Sequence, residues 1–308
     1  MFKHFALELF KALVAWLSAV FLIALIGLTL HKFLRDTQTI SLIALGGGVF
    51  MVMLSYFSLK RASSTYEEHF FIALSFAGQA LIIFSISELF HIDKIEYLIL
   101  LLEILLLLLF NNHIHKFLNA FFAFSALFFL FYDFHMDYLG VFVGLNFILL
   151  STLHLKTKES LIISYGALGA ILWVVLTQSK IFMPTSYKEI ETLLLALPFG
   201  YLLFYLSRFY NIKKLSALLA ISLLFIVSIG LSFFIKYFLV ALTLFILGCF
   251  LGDIFILASS IIIGIFIITY FYYTLNTTLA FKSLLLISSG ILGLIIRYLL
   301  HLQNKENR

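Results

Sequence analysis

The chain has 308 residues, of which 63% are hydrophobic and 11% charged, and its mean hydropathy is +1.14. A soluble domain is about half apolar and about a quarter charged, so this composition excludes a water-soluble globular protein. One Cys and two Pro exclude a disulfide scaffold and a collagen-like fibre. The net charge of +5 comes from basic residues scattered singly or in pairs. This pattern does not predict nucleic acid as a partner; the predicted partner is the lipid bilayer.

The apolar runs predict an all-α, polytopic bundle of ten to twelve transmembrane helices. A span needs about 20 apolar residues to cross a hydrocarbon core of about 30 Å. Residues 1–308 are predicted to form a single transmembrane domain with no soluble domain, because the longest polar connection, 180–191, is too short to fold by itself. In chain order the candidate spans are Ala12–Leu30, Thr39–Leu59, Phe70–Phe90, Ile92–Phe110, Phe117–Tyr132, Tyr138–Leu153, Ser160–Gln178, Thr192–Ser207, Lys214–Phe233, Tyr237–Leu251, Ile254–Leu275 and Ala280–His301.

Three features refine this division into spans. The first apolar segment is longer than a usual signal-peptide core, so it is predicted to be a retained anchor. The run Leu239–Thr274 would make a helix of about 54 Å, which is too long for one span; it is predicted to break at Gly252-Asp253. The triple glycine Gly46–Gly48 lies inside the second span. It indicates either close helix packing or a helix unwound around a substrate.

The distribution of positive charge predicts the orientation. With twelve spans, thirteen of the 20 Lys and Arg residues fall on the side of the two termini and seven on the opposite side. Cytoplasmic loops of membrane proteins carry an excess of Lys and Arg. Both termini are therefore predicted to be cytoplasmic.

Glu103 is the most informative ionisable residue, because every other residue of Leu98–Phe110 is Leu, Ile or Phe. Asp93, Glu96 and Glu103 are spaced to share one face of a helix, which would form an acidic stripe descending from the outer surface to mid-membrane. One hypothesis is a path for a proton or cation, with Glu103 as its protonatable step. The alternative is that Asp93 and Glu96 are interfacial and Glu103 is protonated or hydrogen-bonded to another helix.

Other charged and polar residues give weaker signals. Lys282, in the last span, is a candidate partner for Glu103, although a Lys one turn into a span commonly snorkels to the interface. Asp133, His135 and Asp137 form D-x-H-x-D in a short loop, which is a weak metal-site candidate because a fourth ligand is missing. His115 ends a predicted span and is expected at the headgroup level.

No enzymatic motif and no cofactor site is predicted. Walker, dinucleotide-binding and nucleophile-elbow patterns are absent from the sequence. Tyr132-Asp133 and Leu251-Gly252-Asp253 are similar to the paired motifs of intramembrane aspartyl proteases, whose two Asp residues share a proton. Phe250 replaces the first Gly of the second motif, and the predicted topology puts the two Asp residues on opposite sides. The protease hypothesis is therefore rejected.

Two stretches, Glu68–Gln79 and a set of positions between Tyr272 and Arg297, resemble an uncharacterised bacterial membrane family, the domain of unknown function 4401. The first is Glu68–Gln79, which includes Gly78 and Gln79, and the second lies near the carboxyl end. The resemblance implies a bacterial inner-membrane protein, often encoded beside another multi-pass protein and a small protein with a GDYxxLxY motif. It implies no activity and no catalytic residue. The carboxyl-terminal matches are Tyr272, Tyr273, Thr278, Lys282, Ser283, Gly290 and Arg297.

Two functions from different classes follow as hypotheses. The first is a transporter-like protein for a small solute or ion, with Asp93, Glu96, Glu103 and Lys282 as candidates for its polar path. The second is a non-transporting membrane component that binds a neighbouring membrane protein, in which Glu103 and Lys282 are structural.

Overall fold

The computed structural model describes residues 10–21, 24–25, 37–134, 136–177, 188–212, 215–233, 235, 237–274 and the single positions 280, 283, 284, 287 and 291. Within these residues the chain is all-α, without a strand, as predicted. The helices are α1 (Phe10–Phe21), α2 (Thr37–Leu59), α3 (Thr65–Phe90), α4 (Ile95–Leu109), α5 (His113–Asp133), α6 (Asp137–Leu150) with a π-helical turn (Ser151–Leu155), α7 (Lys158–Thr177), α8 (Lys188–Phe209), α9 (Leu215–Ser232), α10 (Phe238–Leu251) and α11 (Ile254–Thr274).

Seven helices of the described part are long and apolar enough to cross a membrane: α2, α3, α5, α6 with its π-helical turn, α7, α8 and α11. This number is lower than the predicted ten to twelve. Helices α1, α9 and α10 are apolar but shorter, and α4 has 15 residues, which extend about 22 Å. Within the described residues, turns and caps take residues from both ends of an apolar run, and the first predicted span, Ala12–Leu30, is described only in part. The last candidate span, Ala280–His301, lies largely outside the described residues.

Burial follows the pattern of a membrane protein. Large apolar side chains such as Leu101, Leu108 and Ile254 are exposed, whereas several polar side chains, among them Ser75 and Asn119, are buried. Exposed apolar surface on this scale is costly in water but not against lipid tails. The chain is therefore an all-α, multi-pass membrane protein.

The described chain divides into two compact units, residues 1–209 and 210–308. In the first unit, α3, α5 and α7 begin at the same end. The amide Nδ2 of Asn112, at the start of α5, donates to Glu68 Oε1 of α3 over 2.6 Å. Lys116 Nζ of α5 lies 3.1 Å from Glu159 Oε1 of α7. These two contacts connect the starts of the three helices. Helix α4 lies antiparallel to α5, to which a short connection joins it.

Helices α2 and α3 pack backbone against backbone at Gly48 and Gly78. A Cβ atom added to Gly78 would lie 2.6 Å from the carbonyl oxygen of Gly48, so neither position has room for a side chain. Helix α2 is continuous from Thr37 to Leu59, so the triple glycine does not unwind it. Close packing, one of the two alternatives for Gly46–Gly48, is the role of Gly48.

In the second unit the predicted break at Gly252-Asp253 is confirmed. Helix α10 ends at Leu251, and Gly252 adopts a left-handed conformation with a φ of 68°. Asp253 Oδ1 then accepts the backbone N–H groups of Phe255 at 2.9 Å and Ile256 at 3.2 Å. This is an N-cap, which satisfies N–H groups that have no partner in the first turn of a helix.

Candidate functional site

The acidic residues around α4 differ in environment. Asp93 is exposed and precedes the helix, which begins at Ile95, so it does not share a helix face with the other two acids. Glu96 is half-buried in the first turn. Glu103 is only 3% exposed. The acidic face that extends into the protein therefore consists of Glu96 and Glu103, two turns or about 10 Å apart.

Glu103 is buried without a hydrogen-bond partner for its Oε2 atom among the described residues. Burial of a carboxylate in an apolar environment is costly unless the group is paired or protonated. The predicted partner, Lys282, lies outside the described residues. Within the described part of the first unit, Glu103 is therefore an unsatisfied polar group that packing alone does not explain.

A chain of polar side chains connects α3 to α5. Gln79 Nε2 donates to Ser75 Oγ over 3.4 Å, and Ser75 Oγ lies 2.9 Å from His115 Nε2. The His115 ring stacks on Phe110, with 3.8 Å between ring centroids. His115 is fully buried: its Nε2 atom bonds to the Ser75 hydroxyl and its ring stacks on Phe110, while its Nδ1 atom has no hydrogen-bond partner in the described structure.

Helix register places three buried polar residues at one depth. Glu103 lies six residues before the end of α4, and Asn119 lies six residues after the start of the antiparallel α5. Gln79 and Asn119 each lie four residues beyond the bonded pair Ser75 and His115, on helices that run in the same direction. We call Gln79, Glu103 and Asn119 the polar layer. Each has at least one buried atom without a hydrogen-bond partner in the described structure: Gln79 Oε1, Glu103 Oε2, and Asn119 Oδ1 and Nδ2.

A cavity of about 620 Å³ lies between α4, α5 and α7 and is partly open to the outside of the protein. Two of its lining residues lie close to members of the polar layer along their helices. Ile99 of α4 is four residues, or about 6 Å, from Glu103, and Phe122 of α5 is three residues, or about 4.5 Å, from Asn119. The cavity therefore ends about one helical turn from the polar layer. Its lining residues are Ile95, Glu96, Ile99, Phe121, Phe122, Ser125, Ala126, Phe129 and Trp173.

The weak metal candidate is only partly described. Asp133 Oδ2 lies 3.3 Å from Lys94 Nζ, so this carboxylate forms an ion pair. His135 and the side chain of Asp137 lie outside the described residues. Among the residues that are described, no group of three or more His, Cys, Asp or Glu side chains is arranged to hold a metal ion.

The two carboxylates of the rejected protease hypothesis have local structural partners. Asp133 is paired with Lys94, and Asp253 caps α11. These contacts account for both carboxylates as an ion pair and a helix cap.

The residues that carried the family resemblance lie at different places. Gly78 contacts the backbone of α2, and Gln79 belongs to the polar layer. Tyr272 and Tyr273, near the end of α11, are in edge-to-face contact, with 5.7 Å between ring centroids. Ser283 is exposed. The other four, Thr278, Lys282, Gly290 and Arg297, lie outside the described residues.

Asn119 and the buried role of His115 were not found from the sequence. A usable signal was present, since His115 and Asn119 are four residues apart and therefore share a helix face with Ala123 and Ala126. A face of small and polar residues on an otherwise Phe-rich span indicates the side that packs inside the bundle.

Comparison with known proteins supports the resemblance seen in the sequence. No curated protein and no solved structure matches the chain. A family model, described as "Domain of unknown function (DUF4401)", matches residues 4–303, which is nearly the whole chain. The chain therefore belongs to this family of unknown function.

Proposed function

We propose that the chain is a transporter-like protein for a small solute or ion, located in a bacterial cytoplasmic (inner) membrane with both termini in the cytoplasm. The observation that supports this most strongly is the position of Glu103. It is a buried carboxyl group with an unpartnered oxygen in the described structure, one helical turn beyond a cavity that opens outward. Intramembrane ionisable residues of this kind commonly belong to ion or substrate paths.

In this proposal the polar layer is the site where a proton or small cation binds. Carboxylate and amide oxygens are suitable ligands for hard cations, and the unpartnered oxygens of Gln79, Glu103 and Asn119 are of these types. Binding of a positive charge neutralises Glu103 and removes the cost of a buried anion. Asp93 and Glu96 raise the local concentration of cations at the entrance. Lys282 is kept as a candidate residue of the path and not as a fixed partner of Glu103.

The proposal involves binding and release only. It requires no covalent step, so we propose no enzymatic activity and no cofactor. A driving ion gradient is sufficient, since no part of the sequence provides a nucleotide-binding domain.

Cysteine accessibility tests whether water reaches the polar layer. In a Cys249→Ser background, Glu103→Cys, Glu96→Cys and Ile104→Cys are compared by their rates of reaction with a membrane-impermeant maleimide, applied from each side in turn. Ile104 is the matched control, because it adjoins Glu103 at the same depth but is 48% exposed on the lipid side. A thiol must ionise in water to react, so a cysteine that faces lipid should be inert.

We expect reaction at positions 96 and 103 and none at position 104. Reaction at position 96 with equal inertness at 103 and 104 would overturn the proposal, because Glu103 would then have no aqueous access. Reaction at all three positions would also contradict it, because access would not be specific to the face of the cavity.

A second candidate function is binding of a neighbouring membrane protein. Gly46 and Gly47 of α2 have no atom within 4 Å of the position where a Cβ would lie, and Gly46 is exposed. Small residues on a lipid-facing helix allow another helix to approach closely. Stoichiometric co-purification with one membrane protein, lost in Gly46→Leu and retained in Leu42→Ala, would favour this function. Purification of the chain alone from native membranes would count against it.

A further inference from the structure

The cavity between α4, α5 and α7 has the size and composition of a ligand site. Its volume of about 620 Å³ lies within the roughly 300–1,000 Å³ that is usual for small-molecule pockets. The walls are almost wholly apolar, with Ile side chains from α4 and aromatic rings from α5 and α7. Such a site favours a solute with a large apolar surface.

One acidic group gives the cavity its charge. Glu96 lines the wall and has no hydrogen bond or ion pair to any other described residue. The nearest basic residue in the sequence, Lys94, does not line the cavity. Its Nζ atom lies 3.3 Å from Asp133 and 4.7 Å from the centre of the Phe134 ring. No basic residue is among the lining side chains. The cavity therefore favours a positive charge at Glu96.

The aromatic rings reinforce this preference. Phe121, Phe122, Phe129 and Trp173 surround the apolar part of the cavity. The faces of aromatic rings attract cations, and Trp does so most strongly. The hydroxyl of Ser125 is buried without a hydrogen-bond partner in the described structure and provides one further polar contact.

We propose that this cavity binds a lipophilic organic cation, such as a quaternary ammonium or phosphonium ion with aromatic or alkyl arms. The positive charge lies at Glu96, and the arms lie between the phenylalanine rings and Trp173. This inference deepens the proposed function, on which it rests, because it names the class of solute that enters the path to Glu103. The competing occupant is a lipid acyl chain, which would fill the apolar walls without regard to charge.

The test uses two ions that have nearly the same size and shape and opposite charge. The full chain is purified in detergent as a Trp16→Phe variant, which leaves Trp173 as its one tryptophan. Tetraphenylphosphonium and tetraphenylborate are titrated separately, and quenching of Trp173 fluorescence is followed. We expect saturable quenching by the phosphonium and none by the borate.

Matched variants assign the effect to the cavity. Glu96→Gln should weaken phosphonium binding at least tenfold, whereas Glu88→Gln, which removes an exposed acid near the end of α3 and outside the cavity lining, should change it by less than twofold. Ile99→Phe, which fills the cavity without changing charge, should also weaken binding at least tenfold. Because this variant and Glu96→Gln alter different parts of the lining, misfolding of one leaves the other as a test.

The outcomes separate this inference from the proposed function. Equal quenching by both ions, or phosphonium binding that is unchanged in Glu96→Gln, would overturn the cation proposal and indicate a groove that lipid fills. If the Glu103→Cys variant nevertheless reacts with maleimide at position 103, the transporter-like function stands and only the solute class is wrong. If that variant is inert while the phosphonium binds at Glu96, the cavity is a binding site and the proposed function fails.

Discussion

Replacement of Glu103 by Leu is expected to stabilise the protein. A charged side chain at mid-membrane costs about 2.5–3.5 kcal/mol on insertion scales, and a Leu there contributes about 0.3–0.6 kcal/mol favourably. A buried polar atom without a partner costs about 1–3 kcal/mol. Glu103 Oε2 is such an atom within the described structure. The insertion values apply to entry into the bilayer and not to unfolding within micelles, so removal of the unpartnered buried atom predicts that Glu103→Leu raises the free energy of unfolding by about 1–3 kcal/mol.

Reversible unfolding in mixed micelles of a mild detergent and dodecyl sulfate, followed by circular dichroism, measures this change. Glu96→Leu is the control: Glu96 is only half-buried at the cavity, so the expected change is within about 0.5 kcal/mol. A loss of stability in Glu103→Leu would refute the reasoning, because it would mean that the carboxyl group has a stabilising partner. A gain in stability is typical of a group retained for function at a cost to the fold.

Three further predictions concern the structure around the site and use the same unfolding measurement. Gly78→Val should lower the free energy of unfolding by about 1–3 kcal/mol, because its Cβ would overlap the backbone of α2. Gly46→Ala should be neutral or stabilising, since that position is open. Equal effects of the two substitutions would contradict this packing. Glu159→Ala should lower the free energy of unfolding by at least about 1 kcal/mol more than Lys116→Met does. The first substitution leaves a buried ammonium group unpaired, whereas the second leaves an exposed carboxylate. The reverse order would be inconsistent with the observed burial. Gly252→Ala should lower the free energy of unfolding by about 1–2 kcal/mol, because Gly252 has a left-handed backbone conformation, and Gly252→Asn should lower it less. An unchanged free energy of unfolding in both variants would exclude backbone strain at this position.

The sequence was sufficient to predict the all-α membrane fold and the break between α10 and α11. Both depend on local properties: the length of an apolar run compared with the bilayer, and the preference of Gly and Asp for the end and start of helices. Within the described residues fewer helices are long enough to span than the sequence predicted, because apolar runs do not show how many of their residues lie in turns and caps.

Glu103 also stood out from the sequence alone, as a single carboxyl group among Leu, Ile and Phe. The other members of the polar layer could not be identified from the sequence. Asn119 and Gln79 resemble any other amide in an apolar span, and the place of His115 near a helix start does not reveal that its ring is buried against Ser75 and Phe110. They belong to three helices separated by loops, and only packing brings these helices to one depth.

The cavity was likewise beyond prediction from the sequence. Its walls come from α4, α5 and α7, so its volume depends on the angles and spacing of three helices. Hydropathy cannot give these angles and spacings. In lipid every face of such helices is apolar, so the hydrophobic effect does not select which face turns inward. The sequence determined that the chain enters a membrane and that one acid is buried there. The tertiary structure decided which buried polar side chains lie at the depth of that acid. Close packing at Gly48 and Gly78 and polar bonds such as that between Ser75 and His115 select the inward faces of the helices.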